Sequence, residues 1–108
     1  MKATKTQKKK LAVCPIAKVA QEIGDHWTIL IIRDLLTGEK RFGDLETSLS
    51  GVSSRTLCNK LDRLVKNKFI VRKSFRETPP KVVYSLTKKG AGLHFIAEAM
   101  RTYGEKHL

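Results

Sequence analysis

In Ser50-Gly51-Val52-Ser53-Ser54-Arg55-Thr56-Leu57-Cys58-Asn59-Lys60-Leu61-Asp62-Arg63-Leu64-Val65-Lys66-Asn67 a turn signal runs directly into an amphipathic segment. Ser53 follows the Ser-Gly turn and can accept from backbone N–H groups two or three residues on, so it reads as a helix cap. Laid out at 100° per residue, Leu57, Cys58, Leu61, Leu64 and Val65 fall within one arc, and Arg55, Thr56, Asn59, Arg63 and Lys66 fall on the opposite side. The spacing predicts a helix over 54–67 that packs with one face and offers donors on the other. Cys58, on the inward arc, reads as an inert core residue.

The segments on either side give this helix its context. Cys14-Pro15 opens a helix, since proline at the first helical position loses no hydrogen bond; Ile16, Val19, Ala20 and Ile23 follow at helical spacing and Gly24 ends it. Asp25 caps a second helix, about 27–37, whose Trp27, Ile29, Leu30, Ile31, Ile32, Leu35 and Leu36 make it apolar around most of its circumference, the mark of a central helix. Trp27 reads as core, His26 as a cap or surface residue. Gly38 ends that helix. A short helix over about 42–49 turns Phe42, Leu45 and Leu49 inward. Downstream, 69–75 is β-prone, Arg76-Glu77-Thr78-Pro79-Pro80-Lys81 is a turn, and 82–87 is a second strand with Val82, Tyr84 and Leu86 on one face. Thr87 caps a final helix running from Lys88 towards the C-terminus, with Leu93, Ile96, Ala97, Met100 and Tyr103 in a stripe and Phe95 and Ala99 off it. Apolar residues on more than one side of a terminal helix predict a partner surface. The order helix, helix, helix, turn, helix, hairpin, helix predicts a mainly α winged helix-turn-helix fold with a small β-hairpin wing, dimerising through its terminal helices.

Charge points to the same kind of partner. The 108 residues carry 22 Lys plus Arg against 10 Asp plus Glu, a net charge of +12. Residues 1–10 hold five lysines and no acid, residues 11–52 are slightly acidic, and residues 53–82 hold nine basic and two acidic side chains. A solvated surface mixes signs more evenly. Excess charge concentrated on the 54–67 helix and the hairpin predicts a polyanion, double-stranded DNA. The length supports one domain, expected over 13–108 after a basic flexible tail over 1–12. No apolar run approaches the ~18 residues of a membrane span, and no apolar signal region follows the basic start, so a cytoplasmic protein is expected. Two cysteines and three scattered histidines make neither a disulfide scaffold nor a metal site, and no cofactor is expected. Cys-Pro-Ile lacks a second cysteine three residues on, no His–carboxylate pair is placed as a base, and no glycine-rich phosphate loop is present. An enzyme is therefore not expected.

Cys14-Pro15-Ile16 through Gly24-Asp25-His26-Trp27-Thr28, Ile31-Ile32-Arg33-Asp34-Leu35, Arg41-Phe42-Gly43-Asp44-Leu45, Gly51-Val52-Ser53-Ser54-Arg55-Thr56-Leu57 and Pro79-Pro80-Lys81-Val82-Val83-Tyr84-Ser85-Leu86-Thr87-Lys88-Lys89-Gly90 stand in the order and spacing of a known family. From Val13 to its last residue the chain resembles HxlR-type bacterial transcriptional regulators. The resemblance implies a homodimer on an operator near a regulated gene. It also implies a cysteine near the N-terminus that in several members senses oxidants or electrophiles, a position held here by Cys14. Lys68 departs from the family, which often has Gly at the end of the helix that here spans 54–67; Asn67 is expected to take the left-handed stop instead.

In that frame the polar face of the 54–67 helix lies in a major groove with its first residues deepest. Arg55 chelates guanine or contacts phosphate, and Asn59 pairs with adenine. Ser53, Ser54 and Thr56 read as phosphate contacts, and Lys60 and Arg63 complete the candidates on this helix. In the wing, Arg76 reaches a minor groove while Arg72, Lys73 and Lys81 follow the backbone, with Arg41 on a neighbouring phosphate. The prolines between Arg76 and Lys81 stiffen the loop or are a plain hairpin turn. Cys14 has two readings. It precedes a helix N-terminus near Lys18 and the tail lysines, a setting that suits a reactive thiol; equally it suits a small capping residue packed by a dimer partner. The leading expectation is a sequence-specific regulator acting as a homodimer on a near-palindromic operator. The alternative is a non-specific architectural DNA- or RNA-binding domain.

Overall fold

The computed structural model describes residues 14–108; the stretch over 1–12 expected as a tail lies outside the described residues. Helix α1, Pro15–Ile23, begins with Pro15 in its first turn after Cys14, and the Gly24 amide closes it on the Ala20 carbonyl at 2.8 Å. Only Ile23 of its apolar stripe is buried, while Ile16 is 81% exposed. Helix α2, His26–Leu35, starts where the Asp25 carboxylate accepts from the Thr28 amide at 3.0 Å. It runs through the middle of the core with Thr28, Ile31, Ile32 and Leu35 buried. Trp27 is half-buried against that core and His26 is exposed.

Strand β1, Lys40–Arg41, leads straight into α3, Phe42–Ser48, whose Leu45 is buried, as is Leu49 just beyond it. Helix α4, Ser54–Lys66, buries Leu57, Leu61 and Leu64 as its wheel predicts. Cys58 is exposed, which corrects its reading as core. It sits about 100° round the helix from Leu57, at the rim of the arc, and the leucines fill the space beneath. Strands β2, Ile70–Phe75, and β3, Lys81–Leu86, form the hairpin, and β1 adds a third antiparallel strand in the order β1-β3-β2. Because β3 is central, Val83 on its second face is buried together with Tyr84, whereas Val82 and Leu86 are only partly covered. The core therefore gathers Ile31, Ile32, Leu45, Leu49, Leu57, Leu61, Leu64 and Ile70 between the helices and the root of the wing.

Two junctions differ from expectation. Asn67 stays right-handed at φ −87°, and Lys68 takes the left-handed position at φ +64°. The Lys68 amide bonds the Val65 carbonyl and the Phe69 amide bonds the Leu64 carbonyl, both at 3.0 Å. This pair of bonds is the Schellman stop, which needs its left-handed residue one place beyond the cap. Holding a residue with a Cβ there costs about 1 kcal/mol, repaid by the two bonds and by Phe69 tucking into the core.

The final helix is also two pieces, α5, Lys88–Ala91, and α6, His94–His107. Thr87 does cap, its Oγ1 accepting from the Gly90 amide at 3.1 Å. Gly90 and Gly92 within one turn weaken the helix there, and the chain bends to bury Leu93.

Candidate nucleic-acid interface

The N-terminus of α4 is set by local bonds. Ser53 Oγ accepts from the Thr56 amide at 3.0 Å and lies 2.9 Å from Thr56 Oγ1. Ser54 Oγ donates to Glu46 Oε2 at 2.7 Å, tying α4 to α3. All three hydroxyls named as phosphate contacts thus have partners within the protein. Arg55 and Asn59 are exposed one turn apart, with no side-chain hydrogen bond or ion pair among the described residues.

Farther along α4, Lys60 and Arg63 are engaged, while Lys66 is exposed. Lys60 is half-buried with Nζ 3.3 Å from Asp25 Oδ2. Partial burial pushes the Asp25 carboxyl up, but hydrogen bonding from Thr28 and the adjacent Lys60 ammonium outweigh it and hold the group below the ordinary carboxylate value. Arg63 donates to the Gln21 carbonyl at the end of α1. Sequence reasoning missed Gln21, Glu22, Asp25 and Glu46 as partners of α4, and no local spacing links them to it.

In the wing, Arg72, Lys73 and Arg76 are exposed, and Lys81 is half-buried with Nζ 5.2 Å from the centre of the Phe75 ring. Arg72 Nη1 donates to Ser74 Oγ at 3.2 Å. Lys73 and Arg41 both stand opposite Val83, so the three form one row across the sheet, while Arg72 and Lys40 share the row of Tyr84. The structure thus puts Arg41, fixed by its amide bond to Asp44 Oδ2 at 3.0 Å, in line with the hairpin. Arg76 belongs to the connection between β2 and β3, which contains a cis Thr78–Pro79 bond.

Away from this basic side, α1 and α6 border an apolar groove of about 480 Å³ lined by Pro15, Ile16, Val19, Ala20, Ile23, Gly24, Ile29, Ile96 and Met100. A second groove along α6, lined by Phe95, Ile96, Ala99, Met100, Tyr103, Gly104 and Leu108, shares Ile96 and Met100 with it. Cys14 is half-buried at the head of α1, beside Pro15 at the first groove's edge, and makes no capping bond with its side chain. Among the described residues no group of three or more His, Cys, Asp or Glu could hold a metal ion, and no helix is long and apolar enough to cross a membrane.

The family model of HxlR-like helix-turn-helix proteins matches residues 22–108. The HTH-type transcriptional regulator YodB of Bacillus subtilis is 33% identical over 95 residues, covering 87% of this chain and 85% of YodB. A solved MarR-family transcriptional regulator of Porphyromonas gingivalis W83 is similar with a TM-score of 0.86 at 30% identity over the whole of both chains. The reduced form of the redox regulator HypR is similar with a TM-score of 0.81 at 29% identity, covering 85% of this chain and 91% of that one. With its helix-turn-helix, its small three-stranded wing and these likenesses, the chain belongs to the HxlR-like helix-turn-helix family of DNA-binding transcriptional regulators.

Proposed function

We propose that the protein is a sequence-specific regulator that binds a near-palindromic operator as a homodimer and responds to oxidants or electrophiles through Cys14. The observation that carries the reading is the exposed pair Arg55 and Asn59 at the start of α4, left open while Lys60 and Arg63 of that helix are tied into the fold. In a major groove this pair suits guanine O6 and N7 and adenine N6 and N7. Lys73 and Arg41 in one row, with Arg72, Arg76 and Lys81, supply phosphate and minor-groove contacts on the flank. Ser53, Ser54 and Thr56 hold the helix start, where backbone amides face a phosphate. The dimer follows from the apolar grooves of α1 and α6, where Phe95 is 71% and Tyr103 61% exposed. Two half-sites one turn of DNA apart are read when the two α4 helices of such a dimer stand about 34 Å apart. Cys14 sits beside that surface, so modification of its sulfur alters the packing of α1 against the partner. HypR, a redox regulator of the same fold, supports the thiol reading.

The test is binding to duplex DNA from upstream of its own and neighbouring genes, at about 0.15 M salt with excess random competitor, before and after a mild thiol oxidant. Competitor-resistant binding that changes on oxidation, and no longer changes in Cys14→Ser, is expected. Arg55→Ala should lower operator affinity roughly ten- to hundredfold while non-specific affinity falls far less. Equal losses would reduce Arg55 to a phosphate contact. Binding no tighter than to competitor would favour the non-specific architectural reading.

A further inference from the structure

Helix α4 is held on one flank by polar bonds as well as by its buried leucines. Lys60 Nζ meets Asp25 Oδ2 at 3.3 Å, Arg63 donates to the Gln21 carbonyl, and Asn67 Nδ2 donates to Glu22 Oε2 at 2.7 Å. Lys60, Arg63 and Asn67 are three and four residues apart and fall within about 60° on the helix wheel. That stripe lies between the buried Leu57, Leu61 and Leu64 and the open pair Arg55 and Asn59. Its partners all belong to one corner, the end of α1 and the cap of α2. Gln21 lies in the last turn of α1, where carbonyls have no helical partner and the helix dipole is negative. The Arg63 guanidinium answers both needs at once.

We propose that this corner is the positioning element of the DNA-reading helix: Gln21, Glu22 and Asp25 fix the roll and tilt of α4, so that Arg55 and Asn59 are presented together. Lys60, Arg63 and Asn67 are then positioning residues, and Lys60 and Arg63 leave the set of DNA contacts. Apolar packing tolerates a small roll of a helix, whereas hydrogen bonds are directional. The three links span about 10 Å of helix axis, so they constrain tilt as well as roll. Because α1 carries Cys14 at its first end and this clamp at its last, a turn of α1 moves α4 with it.

The inference rests on the proposed reading of α4 as the DNA-reading helix, and its test separates the two. Glu22→Ala removes the acceptor for Asn67; Glu22→Gln removes the charge but keeps an acceptor. In the full chain, Glu22→Ala should lower the operator-to-competitor preference about tenfold, and Glu22→Gln should stay near the parent. A purely Coulombic role for Glu22 predicts the reverse, tighter DNA binding in both variants, since each removes a negative charge. Arg63→Ala should lose preference with no change in the slope of log affinity against log salt, whereas loss of a phosphate contact flattens that slope by about 1. Undiminished preference in Glu22→Ala, or a flattened slope in Arg63→Ala, overturns the proposal. If the parent protein shows no operator preference, the functional reading fails by itself, and the clamp is read in the free protein. Faster amide exchange through the last turn of α4 in Glu22→Ala than in Glu22→Gln supports it, and equal exchange overturns it.

Discussion

Met100→Glu is expected to yield a monomer and to weaken operator binding at least a hundredfold. Met100 lines both apolar grooves and is 53% exposed in the single chain, so the substitution costs the isolated fold little. In a twofold dimer the same residue occurs on both sides of the interface, and each copy of the variant buries a carboxylate without a partner. A buried unpaired charge costs several kcal/mol, and about 2.7 kcal/mol already corresponds to a hundredfold. Losing the second half-site then removes the gain from holding two reading helices on one duplex. Sedimentation and operator titration at the same concentrations measure both effects, with circular dichroism confirming intact helices. A variant that remains dimeric would move the interface away from α6.

Gly90→Ala is expected to be the most destabilising glycine-to-alanine change in the protein's described residues. A Cβ at Gly90 would stand 2.0 Å from the Phe69 carbonyl oxygen and 3.0 Å from Leu86 Cδ2. The obstacle is backbone, so no rotamer change relieves it. That oxygen accepts from the Thr87 amide at 3.0 Å and lies 3.1 Å from Thr87 Oγ1, whose proton it shares with the Lys68 carbonyl at 2.7 Å, contacts that fasten the start of α5 to the root of β2. Moving it loosens both while a close-packed region is overfilled, at a cost of about 3 kcal/mol. In a domain of this size that lowers the melting temperature by more than about 10 °C. The urea midpoint should fall with an unchanged slope; a variant within about 1 kcal/mol of the parent would show that α5 shifts freely on the sheet.

Much of the fold is written in short-range patterns. The caps at Asp25, Ser53 and Thr87 each join a side chain to an amide three residues on, and all three were legible. So was the buried stripe of α4, because a 3.6-residue period is visible within one helix. Strand β1 was not legible, since two residues carry no alternation and pair only because β3 passes beside them. The break before α6 had its signal in Gly90 and Gly92, which the apolar stripe across it outweighed. At the interface, Arg55 and Asn59 were legible as an outward face. The engagement of Lys60 and Arg63 was not, because their partners lie 35 and 42 residues earlier in the chain. A side chain's charge is local information, but whether that charge is already spent is decided by tertiary neighbours.

Beyond its root the hairpin lies outside the core. Of β2 only Ile70 is buried, and every residue from Val71 to Pro80 is exposed. Beyond its root the wing is a two-stranded ribbon held by ladder bonds, a unit that is marginal by itself in water. The described residues therefore span at least two stability scales, a core around α2 and α4 that opens with global unfolding and a wing tip that opens at a small fraction of that cost. Among the described residues, a protease meeting the free protein is expected to cut between Phe75 and Lys81, and a duplex bound as proposed would shield the same bonds.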